Sequence, residues 1–316
     1  MIAQRPELDV TVSIVNTNNR DLLRGCLRTI TRSVQRFSHE VIVVDNASDD
    51  GSFEMLGAEF PHVKVIRNDV RGGYGYSHNR AIAESRGRYV LILNEDMEML
   101  TDAIDCMIRT ADETKNLGAM GCKILNADLT LQHSCFKFPT LTQEAFEAVL
   151  PYTVIAPKAP IRSKMYWWDH DSARDVDIVL GCCILVPREV IETVGAFDPS
   201  FFVYSEEHDL CRRIRNSGRR VVYVPEARMI HFGGQTSKHM SLKMALVQVN
   251  SRIRYFYKHH GRVATGAFRS IVVIGAALRL TGWSLIYAMQ SKRKAVARAR
   301  LIEYWYSMKL ALSWRD

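Results

Sequence analysis

The sequence predicts an α/β fold with a mostly parallel sheet, helices on both faces of that sheet, and a basic helical tail at the C-terminus. Short apolar runs rich in β-branched residues alternate with segments of helical periodicity, which is typical of βαβ units. Asn or Asp follows several of these runs directly, as at the ligand-binding edge of parallel sheets. Residues 238–316 combine a helical pattern with many basic side chains.

The first part of the chain supplies most of the predicted strands. The predicted strands are residues 10–15, 41–45, 63–67, 89–93 and 117–124, and the predicted helices are residues 22–30, 74–86 and 101–113, with a shorter helix through Met55 and Leu56. Val41–Asp45 is apolar up to its terminal acid, which indicates a parallel strand buried on both faces. Because crossovers between such strands are right-handed, we expect their carboxyl ends to meet along one edge.

The second part is less regular. Residues 126–175 show no clear pattern, so we predict no helix or strand there. Val176–Val186 predicts a strand that Gly181 interrupts, and a helix begins near Arg188. Val221–Val224 predicts a further strand.

Charge is distributed unevenly along the chain. Fifteen of the 42 Lys and Arg residues, but only two of the 34 acidic residues, lie in residues 238–316, which therefore carry a net charge of +13 against −5 for residues 1–237. A basic segment of this kind suits a nucleic acid or an anionic membrane surface. The hydrophobic fraction of 47% is sufficient for a substantial core.

Cysteine usage and the N-terminus bear on the compartment. The seven cysteines form no C-x-x-C pair and no zinc-finger spacing, which favours a reducing compartment without a disulfide framework. Met1–Leu8 carries charge and proline but no apolar stretch, which argues against a secretory signal. We therefore expect a cytoplasmic location.

Two candidate ligand-binding segments follow the second and third predicted strands. Asp45, with Asn46 after it, could accept a hydrogen bond from a nucleobase N–H, whereas an Asx turn capping the next helix explains the same residues without a ligand. In the glycine-rich stretch before helix 74–86, Gly73 permits close backbone approach and Arg71 is a candidate phosphate partner. This stretch is not a P-loop, because no Gly-Lys-Ser/Thr follows.

An acidic segment follows the strand Tyr89–Leu93. Asp96 and Glu98 lie two residues apart, so both can point to one side of an extended chain. One or two carboxylates together with diphosphate oxygens suit Mg²⁺ or Mn²⁺, whereas a solvated acidic loop is the alternative. His231, after another strand, could donate an imidazole to the same metal, although a lone histidine is more often structural.

A second acidic motif opens a predicted helix. Acidic residues are favourable in the first turn of a helix, which alone explains the string Glu206-Glu207-His208-Asp209. A catalytic general base requires in addition that one carboxylate faces a cleft, and Glu206 and Glu207 cannot both do so. Asp209 could accept nearby hydrogen bonds and fix the loop.

Together these motifs resemble the family 2 inverting glycosyltransferases of the GT-A fold, from about Val10 to Ser237. The run Val-Asn-Thr17-Asn-Asn19-Arg is similar to the family's loop beside the nucleotide base, and Val-Val-Asp45-Asn46-Ala-Ser resembles its nucleoside-binding motif. Asn79 matches the last residue of the family's Asn-x-Gly-Phe-x-x-Ala-x-Asn stretch.

The resemblance extends to the metal and base motifs. Leu-Asn94-Glu95-Asp96 falls at the family's Asp-x-Asp, with Asn at the first acid and Asp96 at the metal-binding one. Glu207 falls at the catalytic base, where the family has Asp, and Glu98 is a candidate second metal ligand. The run ending at His231 is similar to the family's strand that ends in a metal-contacting histidine.

The resemblance implies a Rossmann-like GT-A domain over residues 1–237. Residues 1–125 would form its nucleotide-sugar half and residues 126–237 its acceptor half, followed by the tail, 238–316. The chain looks most like bacterial rhamnosyltransferases of cell-wall or O-antigen assembly. That implies dTDP-L-rhamnose as donor, with UDP-sugars as the alternative, a glycan or polyprenyl-diphosphate-linked acceptor, and inversion at the sugar.

The tail suggests a membrane surface. Residues 271–289 approach the length of a membrane span, but Arg279 and two glycines oppose insertion. We expect peripheral docking on the anionic inner face of the cell membrane. The alternative is a helical pair that makes a homo-oligomer. No RNA-stacking motif is visible, so we expect no nucleic-acid partner.

Two other functions fit parts of the sequence. A nucleotidyltransferase would want a glycine-rich phosphate loop directly after the first strand, where this chain has Asn16-Thr-Asn-Asn-Arg20. A non-catalytic nucleotide- or membrane-binding module remains open, although Asp96, Glu207 and His231 are the residues that such a module would not need.

Overall fold

The computed structural model describes residues 8–149, 164–233, 242–289 and 293–315. The strands are β1 (Leu8–Asn16), β2 (His39–Asp45), β3 (Lys64–Arg67), β4 (Gly87–Asn94), β5 (Met97–Met99), β6 (Leu117–Leu125), β7 (Leu131–Gln132), β8 (Cys135–Phe136), β9 (Arg174–Asp175), β10 (Ile178–Val179), β11 (Cys183–Pro187) and β12 (Arg220–His231). The helices are α1 (Arg20–Ser33), α2 (Ser52–Glu59), α3 (Tyr74–Ala83), α4 (Ala103–Glu113), α5 (Leu141–Val149), α6 (Arg188–Val194), α7 (Glu206–Asn216), α8 (Leu242–Met289) and α9 (Lys294–Ser313).

A central sheet has the strand order β3-β2-β1-β4-β11-β6-β12-β5, with β7 beside β6 and β9 beside β12. The neighbours β3/β2, β2/β1, β1/β4 and β6/β12 are parallel, whereas β11 runs antiparallel to both β4 and β6. The predicted α/β fold with a mostly parallel sheet is therefore confirmed. Parallel strands β1 to β4 direct their carboxyl ends toward the same edge.

Helices cover both faces of this sheet. Val41 and Val43 of β2 belong to the main apolar cluster, which also contains residues of α1, α2 and α4. Ile42 and Val44, the alternate residues of β2, belong to a second cluster with Ala81 of α3. Because successive side chains of a strand point to opposite faces, the continuous apolar run of β2 is buried between two helical layers.

Two predictions for the less regular part were wrong. Residues 126–175 contain helix α5 and the short strands β7, β8 and β9, although the sequence of this segment shows no clear periodicity. Residues 176–186 form two strands in different sheets, because β10 pairs with β8 whereas β11 pairs with β4 and β6. A turn at Gly181 and Cys182 separates them, and it is closed by the Cys183 N–H, which donates to the Leu180 carbonyl at 3.3 Å.

The described residues divide into two compact units. The first lies within residues 1–137, 168–202 and 206–233, and the second within residues 138–167, 203–205 and 234–316. This division differs from the domain boundary that the sequence predicts between residues 237 and 238, because residues 138–167 group with the C-terminal helices. Within the second unit, Arg279 of α8 donates to the Glu147 carbonyl of α5 at 3.0 Å, which explains that grouping.

The second unit contains the helices α5, α8 and α9. Helix α8 is interrupted at Gly261, whose φ of 76° leaves the helical region. Beyond this break, Arg269 donates to the carbonyls of Ala311 at 2.5 Å and Leu312 at 2.8 Å, so it satisfies the free carbonyls at the end of α9. Among the described residues, α8 alone is long and apolar enough to cross a membrane, judged by length and composition only.

Close packing between β1 and β4 gives a test of the sheet register. A Cβ added at Gly87 would lie 2.6 Å from the Tyr89 carbonyl oxygen and 2.6 Å from the Val10 carbonyl carbon, and neither backbone atom can move freely. We expect Gly87→Ala to lower the free energy of unfolding by about 2 kcal/mol. Gly57→Ala in α2 is the matched control, because a Cβ there meets nothing within 4 Å.

Chemical denaturation of both variants measures the difference. Gly57→Ala should be neutral or stabilise by about 0.5 kcal/mol, since alanine favours a helix. Equal stabilities for the two variants would contradict the described register.

Candidate functional site

The carboxyl ends of three parallel strands lie side by side. The register aligns Asn16 of β1 with Asp45 of β2, and Val15 of β1 with Asn94 of β4. Asn16 and Asp45 are fully buried. The sequence prediction that the strand-end polar residues share one edge is therefore confirmed by the sheet.

The Asp45 carboxylate is fully buried at the end of β2. Neither of its oxygens accepts a hydrogen bond from the described residues. The nearest described cation is the half-exposed Arg67 guanidinium, whose Nε lies 3.7 Å from Oδ2, beyond hydrogen-bond length. A buried, unpaired acceptor at a strand end is chemically suited to the N–H of a nucleobase.

Asn46 organises the loops around Asp45. Its Oδ1 accepts from the backbone N–H of Gly72 at 2.8 Å and from Asn68 at 2.8 Å. Its Nδ2 donates to the Gly72 carbonyl at 3.1 Å and to the Thr17 hydroxyl at 3.2 Å. The Asn46 amide therefore connects the loop after β1 to the loop before α3. Thr17 thus contacts Asn46, the residue that follows Asp45.

Asn19 and Glu95 connect the loop after β1 to the loop after β4. Asn19 Nδ2 donates to Glu95 Oε1 at 2.5 Å. Burial, and then the neighbouring charge of Asp96, raise the pKa of Glu95 to about 7. The Glu95 carboxylate therefore contacts the loop after β1. Glu95 directly precedes Asp96, the residue that the sequence predicts as a metal ligand.

Two residues of the predicted nucleotide site, Gly73 and Asn79, contact neighbouring backbone, whereas a third, Arg71, is exposed. Gly73 packs closely against the backbone of Phe202. A Cβ added at Gly73 would lie only 2.6 Å from the Phe202 carbonyl oxygen. Asn79 donates to the Phe197 carbonyl at 2.7 Å and accepts from the Phe197 N–H at 3.0 Å, so its amide fixes a loop. Arg71 is exposed in the loop before α3.

Asp96 and His231 meet at the end of β12. The Phe232 N–H donates to the Asp96 carbonyl at 3.0 Å, which fixes the two segments together. Asp96 Oδ1 lies 3.2 Å from His231 Nε2, yet this buried oxygen accepts no hydrogen bond from the described residues. On the other side of the ring, His231 Nδ1 lies 2.6 Å from Gln132 Oε1. Two potential ligand atoms therefore face each other.

The strand register separates Glu98 from this pair. In the antiparallel ladder of β5 and β12, His231 is opposite Met97 and Ile230 is opposite Glu98. Since directly opposed residues share a face and successive residues alternate, Glu98 lies on the face opposite His231. Among the described residues no group of three His, Cys, Asp or Glu side chains is arranged to hold a metal ion. The pair offers one carboxylate oxygen and one imidazole nitrogen.

Glu206 and Glu207, at the start of α7, have opposite protonation tendencies. Burial, reinforced by the Glu207 charge, raises the pKa of Glu206 well above its usual range. Burial would also raise the pKa of Glu207, but His208, whose Nδ1 lies 3.4 Å from Glu207 Oε1, lowers it below its usual value. Glu207 is thus the ionised member of the pair, and its Oε2 accepts no hydrogen bond from the described residues.

The segment Gly181–Cys182 lies between the metal and base residues. A Cβ added at Gly181 would be 3.7 Å from Glu207 Cβ and 3.8 Å from its carboxyl carbon. On the other side, the Asn94 N–H donates to the Cys182 carbonyl at 3.0 Å. The Tyr74 hydroxyl lies 2.8 Å from the Gly181 carbonyl and 3.1 Å from Asn94 Oδ1. One short backbone segment therefore joins the Asp96 loop to the Glu207 helix.

Asp209 supports α7 through an ion pair within the helix. This fully buried carboxylate accepts from Arg213 Nε at 2.8 Å. The same guanidinium donates to the carbonyls of Val194, Gly195 and Ala196 at 2.7–2.8 Å. Asp209 thereby anchors the helix that presents Glu207 to the loop after α6.

Residues 11–147 match the family named Glycosyl transferase family 2. This segment is therefore similar to the family 2 glycosyltransferases. The matched residues include Asp45 and Asp96. Residues 206–231, with Glu207 and His231, lie C-terminal to the matched segment.

Proteins similar to this chain include bacterial rhamnosyltransferases. The N-acetylglucosaminyl-diphospho-decaprenol L-rhamnosyltransferase of Mycobacterium tuberculosis is 29% identical over 209 residues, which cover 60% of this chain and 66% of that protein. The rhamnosyltransferase WbbL of Escherichia coli is 24% identical over 254 residues, covering 78% of this chain and 92% of that protein.

A solved structure supports the fold of this chain. The mannosyltransferase PcManGT from Pyrobaculum calidifontis, in complex with GDP-Man and Mn²⁺, matches with a TM-score of 0.55 at 17% identity. The match covers 96% of this chain and 88% of that one. The predicted GT-A fold is thereby confirmed.

The sequence did not predict three contributors to the candidate site. Gln132 contacts His231, but it falls in a segment without periodicity and no motif marks it. Tyr74 could be assigned only as pocket lining or core, and its hydroxyl contacts with Gly181 and Asn94 depend on tertiary structure. The protonation of Glu206 follows from burial, which the string of acids alone does not disclose.

The Asp209–Arg213 pair provides a test of what holds α7 in place. Arg213→Met keeps the aliphatic stem but leaves Asp209 as a buried charge without this cation. We expect a loss of about 3 kcal/mol in the free energy of unfolding, as for a broken buried ion pair. Arg215→Met, at an exposed position of the same helix, is the control and should change stability by less than about 0.5 kcal/mol.

Urea denaturation followed by circular dichroism measures both values. If Arg213→Met were as neutral as Arg215→Met, the pair would not be what fixes the helix.

Proposed function

We propose that the chain transfers a sugar from a nucleoside-diphosphate sugar to an acceptor hydroxyl, with inversion at the sugar carbon. The observation that supports this most is the ionised Glu207 carboxylate, with one unpartnered oxygen, across the Gly181–Cys182 segment from the Asp96 loop. A base on one side and a diphosphate-binding residue on the other are what a direct displacement needs.

The residues at Asp96 fit a divalent cation. Asp96 Oδ1 is buried without a hydrogen bond and faces His231 Nε2 at 3.2 Å, although both atoms are electron-pair donors. Carboxylate oxygen with imidazole nitrogen suits Mn²⁺, and carboxylate with phosphate oxygens suits Mg²⁺. We propose Asp96 and His231 as ligands and leave Glu98 out of the set. A bound cation would offset the negative charge that develops on the leaving diphosphate.

The nucleoside would bind at the ends of β1 and β2. Asp45 offers an unpaired, buried acceptor to a base N–H, and Thr17 adjoins it through Asn46. Asn46, Asn19 and Glu95 shape these loops through contacts to each other's segments. Arg71, exposed in the nearby loop, is available to a phosphate.

Glu207 would act as the general base. It removes the proton from the acceptor hydroxyl while that oxygen attacks the anomeric carbon from the face opposite the diphosphate. The protonated Glu206 next to it keeps a second negative charge away, so that the two buried carboxyls share one charge. A single displacement inverts the anomeric centre and requires no covalent intermediate with the protein.

The names of the relatives support a choice of donor and acceptor. Two are named as rhamnosyltransferases, and one of these names specifies a diphospho-decaprenol-linked acceptor. We propose dTDP-L-rhamnose as donor and a glycan or polyprenyl-diphosphate-linked glycan of the cell envelope as acceptor. A UDP-sugar donor is the second candidate, because the Asp45 acceptor can pair with the N–H of uracil as well as that of thymine.

The base assignment is tested by Glu207→Gln, which keeps the shape of the side chain but cannot take a proton. We expect sugar transfer to fall by about 10²–10⁴-fold, the usual contribution of a general base, with nucleotide binding unchanged. Glu226→Gln, an exposed residue of β12, is the matched control.

Transfer is followed by nucleoside-diphosphate release and binding by calorimetry with the intact nucleotide sugar. Full transfer by Glu207→Gln would reject the base assignment. Nucleotide binding by the wild-type chain without any transfer across a donor and acceptor panel would favour the non-catalytic module.

We also propose that the second unit docks on the anionic inner surface of the cell membrane. Large apolar side chains of α8 form one exposed stripe at helical spacing, namely Val263, Ile274, Leu278, Leu285 and Met289, each at least half exposed. Residues 238–316 carry a net charge of +13. Apolar and basic groups on one helical unit suit the headgroup region. Arg279, bonded to the Glu147 carbonyl, favours peripheral docking over insertion.

The stripe is tested by Ile274→Glu with Leu278→Glu in the full chain. Vesicles of phosphatidylglycerol and phosphatidylcholine should sediment the wild type, and the double variant should lose about 10-fold or more in affinity, because two buried apolar contacts are lost and two like charges are added. Val70→Glu, a 77% exposed residue of the first unit, is the control. Unchanged sedimentation of the double variant would reject the docking surface.

A further inference from the structure

The contact between Gln132 and His231 poses a question of proton position. Gln132 Oε1 and His231 Nδ1 lie 2.6 Å apart, so one of them donates and the other accepts. An imidazole can carry its proton on either nitrogen, and an amide group can be turned around. The direction of this bond has to be decided by the other contacts of Gln132.

A directed chain of hydrogen bonds decides it. The Asp128 carboxylate can only accept, and the pKa of Asp128 is lowered by hydrogen bonds from Thr130, whose hydroxyl lies 2.6 Å away. The Thr130 oxygen then accepts from Asn126 Nδ2 at 2.9 Å. Asn126 Oδ1 is left to accept from Gln132 Nε2 at 3.0 Å. Gln132 Oε1 is therefore the acceptor, and His231 Nδ1 bears the proton.

The chain is built on a short hairpin. β6 and β7 pair through Ile124 with Gln132 and Leu125 with Leu131. The turn between them is closed by the Asn126 N–H, which donates to the Thr130 carbonyl at 2.8 Å. β12 pairs with the other edge of β6, so Gln132 and His231 extend from the two neighbours of one strand. Their separation is fixed by the sheet and not by a loop.

We propose that Gln132 is the positioning residue of the cation site, holding His231 as the Nδ1–H tautomer so that Nε2 keeps its lone pair toward Asp96. This inference rests on the ligand role of His231 in the proposed function. It explains why Asp96 Oδ1, 3.2 Å from Nε2, has no hydrogen bond: neither atom carries a proton to share. Metal-binding histidines commonly have their second nitrogen fixed in this way, and losing that partner weakens metal binding by about 10–100-fold.

The experiment combines a spectroscopic readout with metal binding, using the full chain. Nitrogen-15 spectra of histidine-labelled, metal-free protein at pH 8 distinguish the two tautomers, and the His231 signals are identified by their absence in His231→Ala. Mn²⁺ affinity is measured by electron paramagnetic resonance in the presence of a nucleoside diphosphate. Gln132→Leu removes the acceptor, Gln132→Glu retains one, and Gln35→Leu, at an exposed position just after α1, is the control.

We expect the wild type, Gln132→Glu and Gln35→Leu to show the Nδ1–H tautomer of His231. Gln132→Leu should lose this preference and bind Mn²⁺ about 10-fold or more weakly. A wild-type His231 protonated on Nε2 would overturn the inference, as would a Gln132→Leu protein with unchanged tautomer and affinity.

The two proposals fail in different ways. If His231→Ala left Mn²⁺ affinity unchanged, His231 would not be a ligand, and the metal assignment of the proposed function would fail. If His231→Ala weakened binding but Gln132→Leu did not, the ligand role would stand and the positioning role of Gln132 would be wrong. Melting temperatures of all variants show whether a loss of binding reflects unfolding.

Discussion

The antiparallel pairing of β11 with β4 is the constraint on which the candidate site depends. Cys183 is aligned with Leu93, and the Asn94 N–H donates to the Cys182 carbonyl at 3.0 Å. This pairing fixes the segment before β11 beside the loop that contains Asp96. Because Gly181 lacks a side chain, Glu207 can approach the same segment from α7. The nucleotide edge of β1 to β4 and the helix with the candidate base thereby meet at one backbone.

Several carboxyl groups share this small region, and burial raises the pKa of two of them. The pKa of Glu95 is raised to about 7 by burial and by Asp96, and the pKa of Glu206 is raised by burial and by Glu207. Like charges in a poorly solvated region cannot all ionise. In the Glu206–Glu207 pair, Glu206 therefore tends to be neutral, whereas Glu207, the candidate base, stays charged.

The sequence was most informative where one strand determines its own environment. The alternation of apolar runs and helices predicted strands β1 to β4 and β6, because buried parallel strands are apolar on both faces. The residues after those runs, Asp45 and Asp96 among them, were predictable because a parallel sheet collects its strand ends. Pairing partners were not predictable, so one predicted strand over residues 176–186 became two strands in different sheets.

Side-chain partners depend on register and packing, which no local pattern encodes. Glu98 fits a metal pair by sequence spacing, yet its pairing with Ile230 turns it to the other face from His231. Asn79 fits a family motif, yet its amide binds the Phe197 backbone. Gln132 lies 99 residues from His231 and nothing in its neighbourhood signals the contact. A one-residue change in the pairing of β5 with β12 would reverse the assignment of Glu98.

The most direct measurement is a crystal structure of the chain with Mn²⁺ and a nucleoside diphosphate, with diffraction data collected at the manganese absorption edge. The account predicts an anomalous peak about 2.1 Å from an Asp96 carboxylate oxygen and from His231 Nε2, with diphosphate oxygens completing the coordination. A peak bound by Glu98 in place of His231, or a nucleotide bound away from Asp45 and Asp96, would contradict it.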